Sequence, residues 1–336
     1  MATHILEVQD LRGYYRGTFG VVHAVDGVSF TVDRGVVMGI AGESGGGKST
    51  LAQLVSGSPP PLLHLEGGTI LVDGIDIYSI NPEELRTEVK CKRMSYVPQS
   101  SMESLNPVKR IRDFIFDVVR QRTGKRIASS EEKAEVLDMA ANHMKTLGLD
   151  RPVLDRYPHE LSGGMKQRVV IAVSTLWNPK LLIIDEPTSA LDVTSQKRMI
   201  EALLNLKRAG TIESMLYISH DLTSLRQLCG ECIIMYAGKI AEIGDMEETI
   251  DSPRHPYSRL LTAAIASYDS KGRKMGELKS IAGSPPDLRD PPAGCRFHPR
   301  CPYVMDICRT KEPPMFWAGE RKGGASCWLL TSQAGQ

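Results

Sequence analysis

The chain has 336 residues, room for two or three domains, and its 41% hydrophobic and 24% charged residues are ordinary for a globular protein. A balance of 41 Lys and Arg against 40 Asp and Glu argues against nucleic-acid binding that depends on whole-chain charge. No run approaches the ~20 apolar residues of a membrane span, and the N-terminus lacks a signal-peptide core. We therefore expect a protein of the reducing cytosol that keeps its seven cysteines reduced and acts at a membrane only through a partner.

Three regions follow one another along the chain. Residues 1 to about 98 alternate short β-like runs with Gly-rich turns, whereas residues 100–165 show helical periodicity and a capping box at Ser129 and Glu132. The α/β alternation then returns until about residue 248, where "LLIID" and "MLYIS" are typical of buried parallel strands. Beyond residue 250 prolines accumulate, and only "PYSRLLTAAIAS" is clearly helical. The pattern predicts a mixed α/β core with a small β region, a helical insert and a loop-rich tail.

The segment "GESGGGKST" matches G-x-x-x-x-G-K-[ST] and directly follows the apolar strand "VVMGIA". Glycines let backbone N–H groups close around phosphate oxygens at the start of a helix. Lys48 can then reach the outer phosphates, and Ser49 offers its hydroxyl to Mg²⁺. The alternative, a flexible Gly-rich turn, is disfavoured by the preceding strand and the following Lys-Ser. The segment predicts a phosphate loop made of Gly42, Glu43, Ser44, Gly45, Gly46, Gly47, Lys48, Ser49 and Thr50.

Two further segments suit nucleotide chemistry. In "LLIIDEPTSALD" a buried strand delivers Asp185 to its C-terminal edge, where that carboxylate can hold Mg²⁺ and Glu186 can act as general base for water. In "LSGGMKQR" the residues Ser162, Gly163 and Gly164 precede a helix and form a second anion site, although Ser162 alone is also a good N-cap. Two such loops on one chain make sense if two chains pair and each lends its second loop to the other's nucleotide.

These segments, together with "YVPQ" and "ISHD", resemble the ATP-binding subunits of ABC transporters over residues 5–248. The resemblance implies a P-loop NTPase core of the RecA-like type, with an antiparallel β subdomain and a two-chain ATP sandwich. It assigns Gln99 to the sensing of Mg²⁺ and the attacking water, and Asp192 to the loop that crosses to the partner. His220 would contact the γ-phosphate, and Tyr15 would stack on adenine. The simpler alternatives are a local capping role for His220, a polar loop position for Gln99 and strand packing for Tyr15.

The region after residue 248 is similar to the C-terminal extension of the oligopeptide and dipeptide importer branch. The short sequence His255-Pro256-Tyr257 and the block "GCRFHPRCPYVMDIC" carry this resemblance. It implies an ATP-binding domain over residues 1–248, with a helical insert at about 100–165, and an extension over residues 249–336.

The resemblance also implies the partners of the chain. They are a second ATP-binding subunit (a related chain or a copy of itself), two transmembrane permease subunits and, indirectly, an extracellular solute-binding protein. The chain would lie peripherally on the cytoplasmic face of the cell membrane and hydrolyse ATP to drive import. No nucleic-acid partner is expected.

The tail cysteines Cys295, Cys301, Cys308 and Cys327 lack the tight C-x₂₋₄-C spacing of zinc sites. Four thiolates at wider spacing can hold a [4Fe–4S] cluster, and the resemblance points the same way. Zinc is the second choice, and a site without metal is the third. The expected role is structural, because a Pro-rich tail buries little surface, although redox sensing stays open. By contrast, Cys91, Cys229 and Cys232 are expected to be small buried side chains.

Three other functions stay open at this point. The same importer branch includes relatives that move oligosaccharides. A soluble ABC ATPase acting on nucleic acid is disfavoured because the chain has one cassette and only a short helical insert between Gln99 and Leu161. An inactive structural cassette is disfavoured by the complete "LSGGM" and by the presence of Glu186.

Overall fold

A computed structural model describes residues 3–18, 20–124, 127, 129–189, 191–263, 281–318 and 323–331. The chain divides into two compact units, each made of three segments that alternate along the sequence. The first unit comprises Met1–Leu6, Val32–Gly35 and Leu71–Leu216, and the second comprises Glu7–Thr31, Val36–Ile70 and Tyr217–Gln336. Within the described ranges, no helix combines the length and the apolar character needed to cross a bilayer.

Strands and helices alternate along most of the chain. The strands are β1 His4–Gly17, β2 Gly20–Asp33, β3 Val37–Ala41, β4 Leu63–Val72, β5 Ile75–Asp76, β6 Met94–Val97, β7 Leu181–Asp185, β8 Ser214–Ile218, β9 Glu231–Tyr236, β10 Lys239–Asp245, β11 Phe316–Trp317 and β12 Gly323–Ala325. The helices are α1 Lys48–Val55, α2 Pro82–Glu84, α3 Ile111–Thr123, α4 Ser130–Thr146, α5 Gly163–Thr175, α6 Val193–Arg208, α7 Leu222–Leu228, α8 Met246–Asp251, α9 Pro256–Ala263 and α10 Asp306–Thr310.

The first unit is built around parallel strands. Strands β6 and β7 pair in parallel, with Met94 opposite Leu181 and Val97 opposite Ile184. Every residue of β7 is buried, which explains its uninterrupted apolar run up to Asp185. The predicted parallel strand in "LLIID" is therefore confirmed, and Asp185 ends it at the carboxyl edge.

The predicted helical insert is present as α3 and α4, which contact α5. Their apolar faces meet around Ile115, Met144 and Val173. The predicted capping box is confirmed, because the Ser129 hydroxyl accepts a hydrogen bond from the Glu132 N–H at 3.0 Å and the Glu132 carboxylate accepts one from the Ser129 N–H at 3.4 Å. Local chemistry thus decides where α4 begins.

In the second unit, five strands of one sheet lie in the order β11-β12-β10-β9-β3. Strands β3 and β9 are parallel, whereas β10 is antiparallel to both β9 and β12. Strands β11 and β12 belong to the tail, which is otherwise loop-rich as predicted, and these two short strands were not foreseen. Strands of two and three residues are too short to show a period, and "GGA" has no β-branched side chain. The last four residues of the predicted helix "PYSRLLTAAIAS" lie outside the described residues.

The isolated cysteines behave in two ways. Cys229 and Cys232 are buried, as predicted. Cys91 is only half-buried, and its φ of 63° places it in a left-handed turn in which its N–H donates to the Met94 carbonyl at 2.7 Å. The prediction of a buried Cys91 is therefore wrong, since a tight turn next to β6 leaves its side chain partly exposed.

Candidate nucleotide site and C-terminal extension

The phosphate loop lies in the second unit, between β3 and α1. Two of its glycines are required by close backbone approach rather than by flexibility. A Cβ at Gly42 would lie 2.2 Å from the Met235 carbonyl oxygen, and one at Gly47 would lie 2.2 Å from that of Ala24. Gly47 also has a φ of 96°, which favours glycine. The loop therefore has a defined shape that other residues at these positions would disturb.

Lys48 begins α1 and is only 5% exposed. Its Nζ donates to the carbonyl oxygens of Gly42 at 2.9 Å and Glu43 at 3.0 Å. The ammonium group is thereby folded back over the loop, where phosphate oxygens can replace the carbonyls as acceptors. Ser49 is half-buried and Thr50 is buried beside it.

The two adjacent tyrosines of β1 have different surroundings. The Tyr15 hydroxyl donates to Gln53 Oε1 at 3.1 Å and lies 3.4 Å from Thr50 Oγ1, so it sits beside α1. The Tyr14 hydroxyl donates to Asp26 at 2.7 Å, and its ring packs 4.3 Å from that of His23. Tyr15 is therefore the tyrosine next to the helix that follows the phosphate loop.

His220 follows β8 and is exposed. The N–H of the preceding Ser219 donates to the carbonyl oxygen of Ile40 in β3 at 3.1 Å. This hydrogen bond brings the backbone before His220 to the end of the strand from which the phosphate loop starts.

In the first unit, Gln99 and Glu186 are hydrogen-bonded. The Gln99 Nε2 donates to Glu186 Oε2 at 3.0 Å across 87 residues of sequence. Glu186 has a φ of 45°, an uncommon conformation for a residue other than glycine that is concentrated at functional sites. Asp185 immediately before it is 1% exposed. A general-base candidate, its amide neighbour and a buried carboxylate thus meet at the end of β7.

Ser162 and Asp192, which the sequence assigned to a second anion loop and to a loop that crosses to a partner, each precede a helix of the first unit. The Ser162 hydroxyl accepts from the Met165 N–H at 3.3 Å and caps α5, as the simpler interpretation expected. Asp192 caps α6 by accepting from the Ser195 N–H at 2.9 Å and from its hydroxyl at 2.7 Å. The hydrogen bond from the Ser195 side chain lowers the pKa of Asp192. A Cβ at Gly164 would lie 3.2 Å from the Ser195 side chain.

The four tail cysteines Cys295, Cys301, Cys308 and Cys327 line one cavity together with His298. The Cys295 N–H donates to the Cys308 carbonyl at 2.9 Å, which closes the intervening loop. Burial raises the pKa of the Cys295 thiol to about 12. In the described ranges, no three His, Cys, Asp or Glu side chains are arranged to hold a metal ion.

The His255-Pro256-Tyr257 sequence has a structural explanation in the second unit. His255 is 3% exposed, and burial lowers its pKa to about 4, so its ring is neutral near pH 7. The His255 Nδ1 accepts a hydrogen bond from the Tyr257 backbone N–H at 3.0 Å, and the His255 backbone N–H donates to Glu242 Oε2 at 2.8 Å. The Tyr257 hydroxyl then accepts from the Glu43 N–H at 2.8 Å.

One residue of the extension was missed by sequence reasoning. Arg300, whose side chain is 5% exposed, donates to both carboxylate oxygens of Glu43, at 2.7 and 3.2 Å. Its position between two cysteines was the only available hint, and no period or spacing relates it to a residue 257 positions earlier.

Two family models match the chain. The model described as "ABC transporter" covers residues 25–189, and the model described as "Oligopeptide/dipeptide transporter, C-terminal region" covers residues 241–308. The two matches lie on the phosphate-loop core and on the extension, respectively.

Proteins of known assignment are similar over nearly the whole chain. The dipeptide transport ATP-binding protein of Caldanaerobacter subterraneus is 37% identical over 92% of this chain and 92% of its own length. The oligopeptide transport ATP-binding protein of Bacillus subtilis is 38% identical over 99% of this chain and 90% of its own. Its counterpart from Salmonella typhimurium is 39% identical over 93% and 90%.

The fold is shared with solved structures. A dimeric structure of the bacterial ABC transporter cassette MJ0796 matches with a TM-score of 0.61 at 22% identity, covering 72% of this chain and 98% of that one. The family models and these relatives show that the chain is an ABC-type ATPase subunit, and the solved structure shows its P-loop α/β fold, both as the sequence predicted. More particularly, it belongs to the family of ABC transporter ATP-binding proteins that carry the oligopeptide/dipeptide C-terminal region.

Proposed function

We propose that this chain hydrolyses ATP to energise the import of oligopeptides or dipeptides through a membrane permease. The observation that carries the proposal is the similarity of 35–39% identity to relatives named for dipeptide or oligopeptide transport, which spans both the cassette and the extension. The permease would consist of two transmembrane subunits served by an extracellular solute-binding protein. The chain would lie on the cytoplasmic face of the membrane.

ATP binding is assigned to the second unit. Tyr15 stacks on adenine, the loop N–H groups and the start of α1 receive the phosphates, and Lys48 exchanges its two carbonyl acceptors for phosphate oxygens. His220 contacts the γ-phosphate from the end of β8. The short bonds from Lys48 to Gly42 and Glu43 support this role, because the ammonium already lies against the loop.

Hydrolysis is assigned to the first unit. Glu186 accepts a proton from the attacking water, and Gln99 holds the Glu186 carboxylate and the water in place. The 3.0 Å hydrogen bond from Gln99 Nε2 to Glu186 Oε2 supports the contact between the two side chains. Gln99 and Asp185 in this unit carry oxygen donors that suit Mg²⁺, and the hydroxyl of Ser49, in the second unit, is a donor of the same kind. The ion supplies charge neutralisation to the phosphates when bound.

A second ATP-binding subunit, a related chain or a copy, completes each site. In a copy of this chain, Ser162, Gly163 and Gly164 would close on the nucleotide bound by the first chain, and in a related chain their counterparts would do so. Asp192 would lie in the loop that crosses from one subunit to the other. The position of Ser162 and Gly163 at the start of α5, where N–H groups are unpaired by the helix, supports anion binding there. After hydrolysis the two ATP-binding subunits would separate. The segment at Gln99 would pass this movement to α3 and α4, and these helices would pass it to the permease.

For the extension we propose a [4Fe–4S] cluster held by the four cysteines, with zinc as the second choice. The donor set fits, since four thiols line one cavity. Bound there, the cluster would tie together loops that bury little apolar surface.

The decisive variant is Glu186→Gln, which keeps the size of the side chain and removes the base. We expect ATP turnover in the assembled transporter to fall about 10²- to 10⁴-fold with unchanged ATP affinity. Steady-state phosphate release and ATP binding are measured on the same preparation. Glu103→Gln, an exposed carboxylate in the same unit, is the control and should keep normal turnover. Near-normal turnover in Glu186→Gln would remove Glu186 from the role of general base.

A further inference from the structure

Two residues of the extension, Tyr257 and Arg300, are hydrogen-bonded to Glu43 of the phosphate loop. The Glu43 N–H donates to the Tyr257 hydroxyl at 2.8 Å, and its two carboxylate oxygens accept from Arg300. Its carbonyl oxygen accepts from Lys48 Nζ and, at 3.1 Å, from the Gly46 N–H. Backbone and side chain of this loop residue are therefore all engaged, and two of its partners lie beyond residue 248.

Arg300 is held as firmly as the residue it contacts. A guanidinium has five N–H donors. Besides the two bonds to Glu43, Arg300 donates to the Tyr236 hydroxyl at 3.2 Å and to the carbonyls of Ala282 at 2.9 Å and Ile281 at 3.2 Å. All five donors have an acceptor, and the side chain is 5% exposed.

Aromatic packing supports the same contact. The Tyr257 ring lies 4.6 Å from Tyr236 and 5.4 Å from Phe297, which is buried within the cysteine block. Burial raises the pKa of Tyr257, so its hydroxyl keeps its proton. Such packing leaves the hydroxyl little freedom to move away from Glu43.

We propose that Arg300 is a positioning residue for ATP binding, which holds Glu43 so that the phosphate loop and Lys48 are already in place when the phosphates arrive. A loop ordered in advance does not lose conformational entropy on binding, and affinity rises accordingly. A bidentate arginine–carboxylate pair suits this task because it fixes direction as well as distance. The proposal rests on the proposed role of Lys48.

The test is a double-mutant cycle on the full chain with ATP and Mg²⁺ as the probe. Arg300→Gln and Glu43→Gln should each raise the Kd for ATP about 3- to 10-fold, since each removes one half of the same contact. The Kd of the double variant for ATP should be no higher than the Kd of the single variant that binds ATP more weakly. Arg300→Lys, which keeps the charge and one possible bond, should recover part of the affinity. Arg309→Gln, an exposed arginine of the same extension, should leave the Kd unchanged.

Two outcomes would overturn the proposal. One is an Arg300→Gln variant that binds ATP as tightly as the wild type. The other is a double variant whose increase in Kd is the product of the two single increases, because independent effects would mean general destabilisation rather than one shared contact. The variant Lys48→Ala separates this inference from the proposed site. If Lys48→Ala binds ATP with normal affinity, the assignment of the nucleotide site is wrong. If Lys48→Ala loses ATP binding while Arg300→Gln binds normally, only the positioning role of Arg300 is wrong.

Discussion

At the scale of single residues, Asp73 concentrates charge in the first unit. Its carboxylate, 6% exposed, accepts hydrogen bonds from Arg34 and Arg93 and lies 2.8 Å from Lys180 Nζ. Burial acts to raise the pKa of Asp73, but the hydrogen bonds from Lys180 and Arg34 outweigh it and lower that pKa to about 2. The ion cluster therefore stabilises the folded chain only while Asp73 is ionised.

Asp73→Asn should lower the free energy of unfolding by about 3 kcal/mol, because three basic side chains lose their buried anion. Asparagine tolerates the left-handed φ of 51° at this position, so the change isolates the charge. Urea unfolding at pH 7 measures the difference. Asp117→Asn, which removes an exposed partner of Lys109, is the matched control and should change stability by less than about 0.5 kcal/mol. A similar small change for Asp73→Asn would contradict the account.

The same carboxylate predicts a pH dependence. A pKa lowered in the folded state stabilises fully above its ordinary value of 3.8, and this contribution is lost as pH falls toward 2. The difference in stability between wild type and Asp73→Asn should therefore be constant from pH 7 to about 5 and shrink below pH 4. A difference that grew on acidification would have the wrong sign.

At the scale of elements, interactions between residues close in sequence could be predicted from the sequence, whereas contacts between distant residues could not. Ser129 and Glu132 are three residues apart, so their capping box follows from local geometry and was predicted correctly. The strands around the phosphate loop and Asp185 were predicted from apolar runs that end in polar groups. The contact between Arg300 and Glu43 could not be predicted, because only the folded chain brings those side chains together.

Helix α4 offers a direct test of the local argument. Ser129→Ala removes the hydroxyl that accepts from the Glu132 N–H, and we expect a loss of about 1 kcal/mol in the free energy of unfolding. Ser130→Ala, at the first helical position and exposed, should change stability little, because that hydroxyl is not the cap. Chemical denaturation of both variants gives the comparison. Equal effects of the two changes would show that the cap adds nothing.

At the scale of the whole molecule, the extension joins two kinds of chemistry in one unit. Phe297, Arg300 and three of the four cysteines belong to the same short block, so side chains that line the cavity and one that reaches the phosphate loop are neighbours in sequence. The sequence alone suggested the cysteine site but gave no reason for its presence in an ATPase. The contact at Glu43 supplies a physical reason for keeping this block folded.

The content of the cysteine site can be measured directly. We expect protein purified without oxygen to carry about four iron and four acid-labile sulfide per chain, because four thiols share one cavity. Iron, sulfide and zinc are quantified on the same sample, with a Cys301→Ser variant as the control that should lose iron. One zinc without sulfide would replace the cluster by the second choice, and the absence of all three would remove the metal site.

We propose that ATP hydrolysis by this chain drives peptide import. The most direct measurement is uptake of a labelled oligopeptide into vesicles that contain the complete transporter, with ATP supplied on the side of this chain. We expect ATP-dependent uptake that disappears with Glu186→Gln and is restored by the wild-type chain. Peptide uptake that continues at the wild-type rate with Glu186→Gln, or a complete transporter that hydrolyses ATP but moves no peptide, would contradict the account.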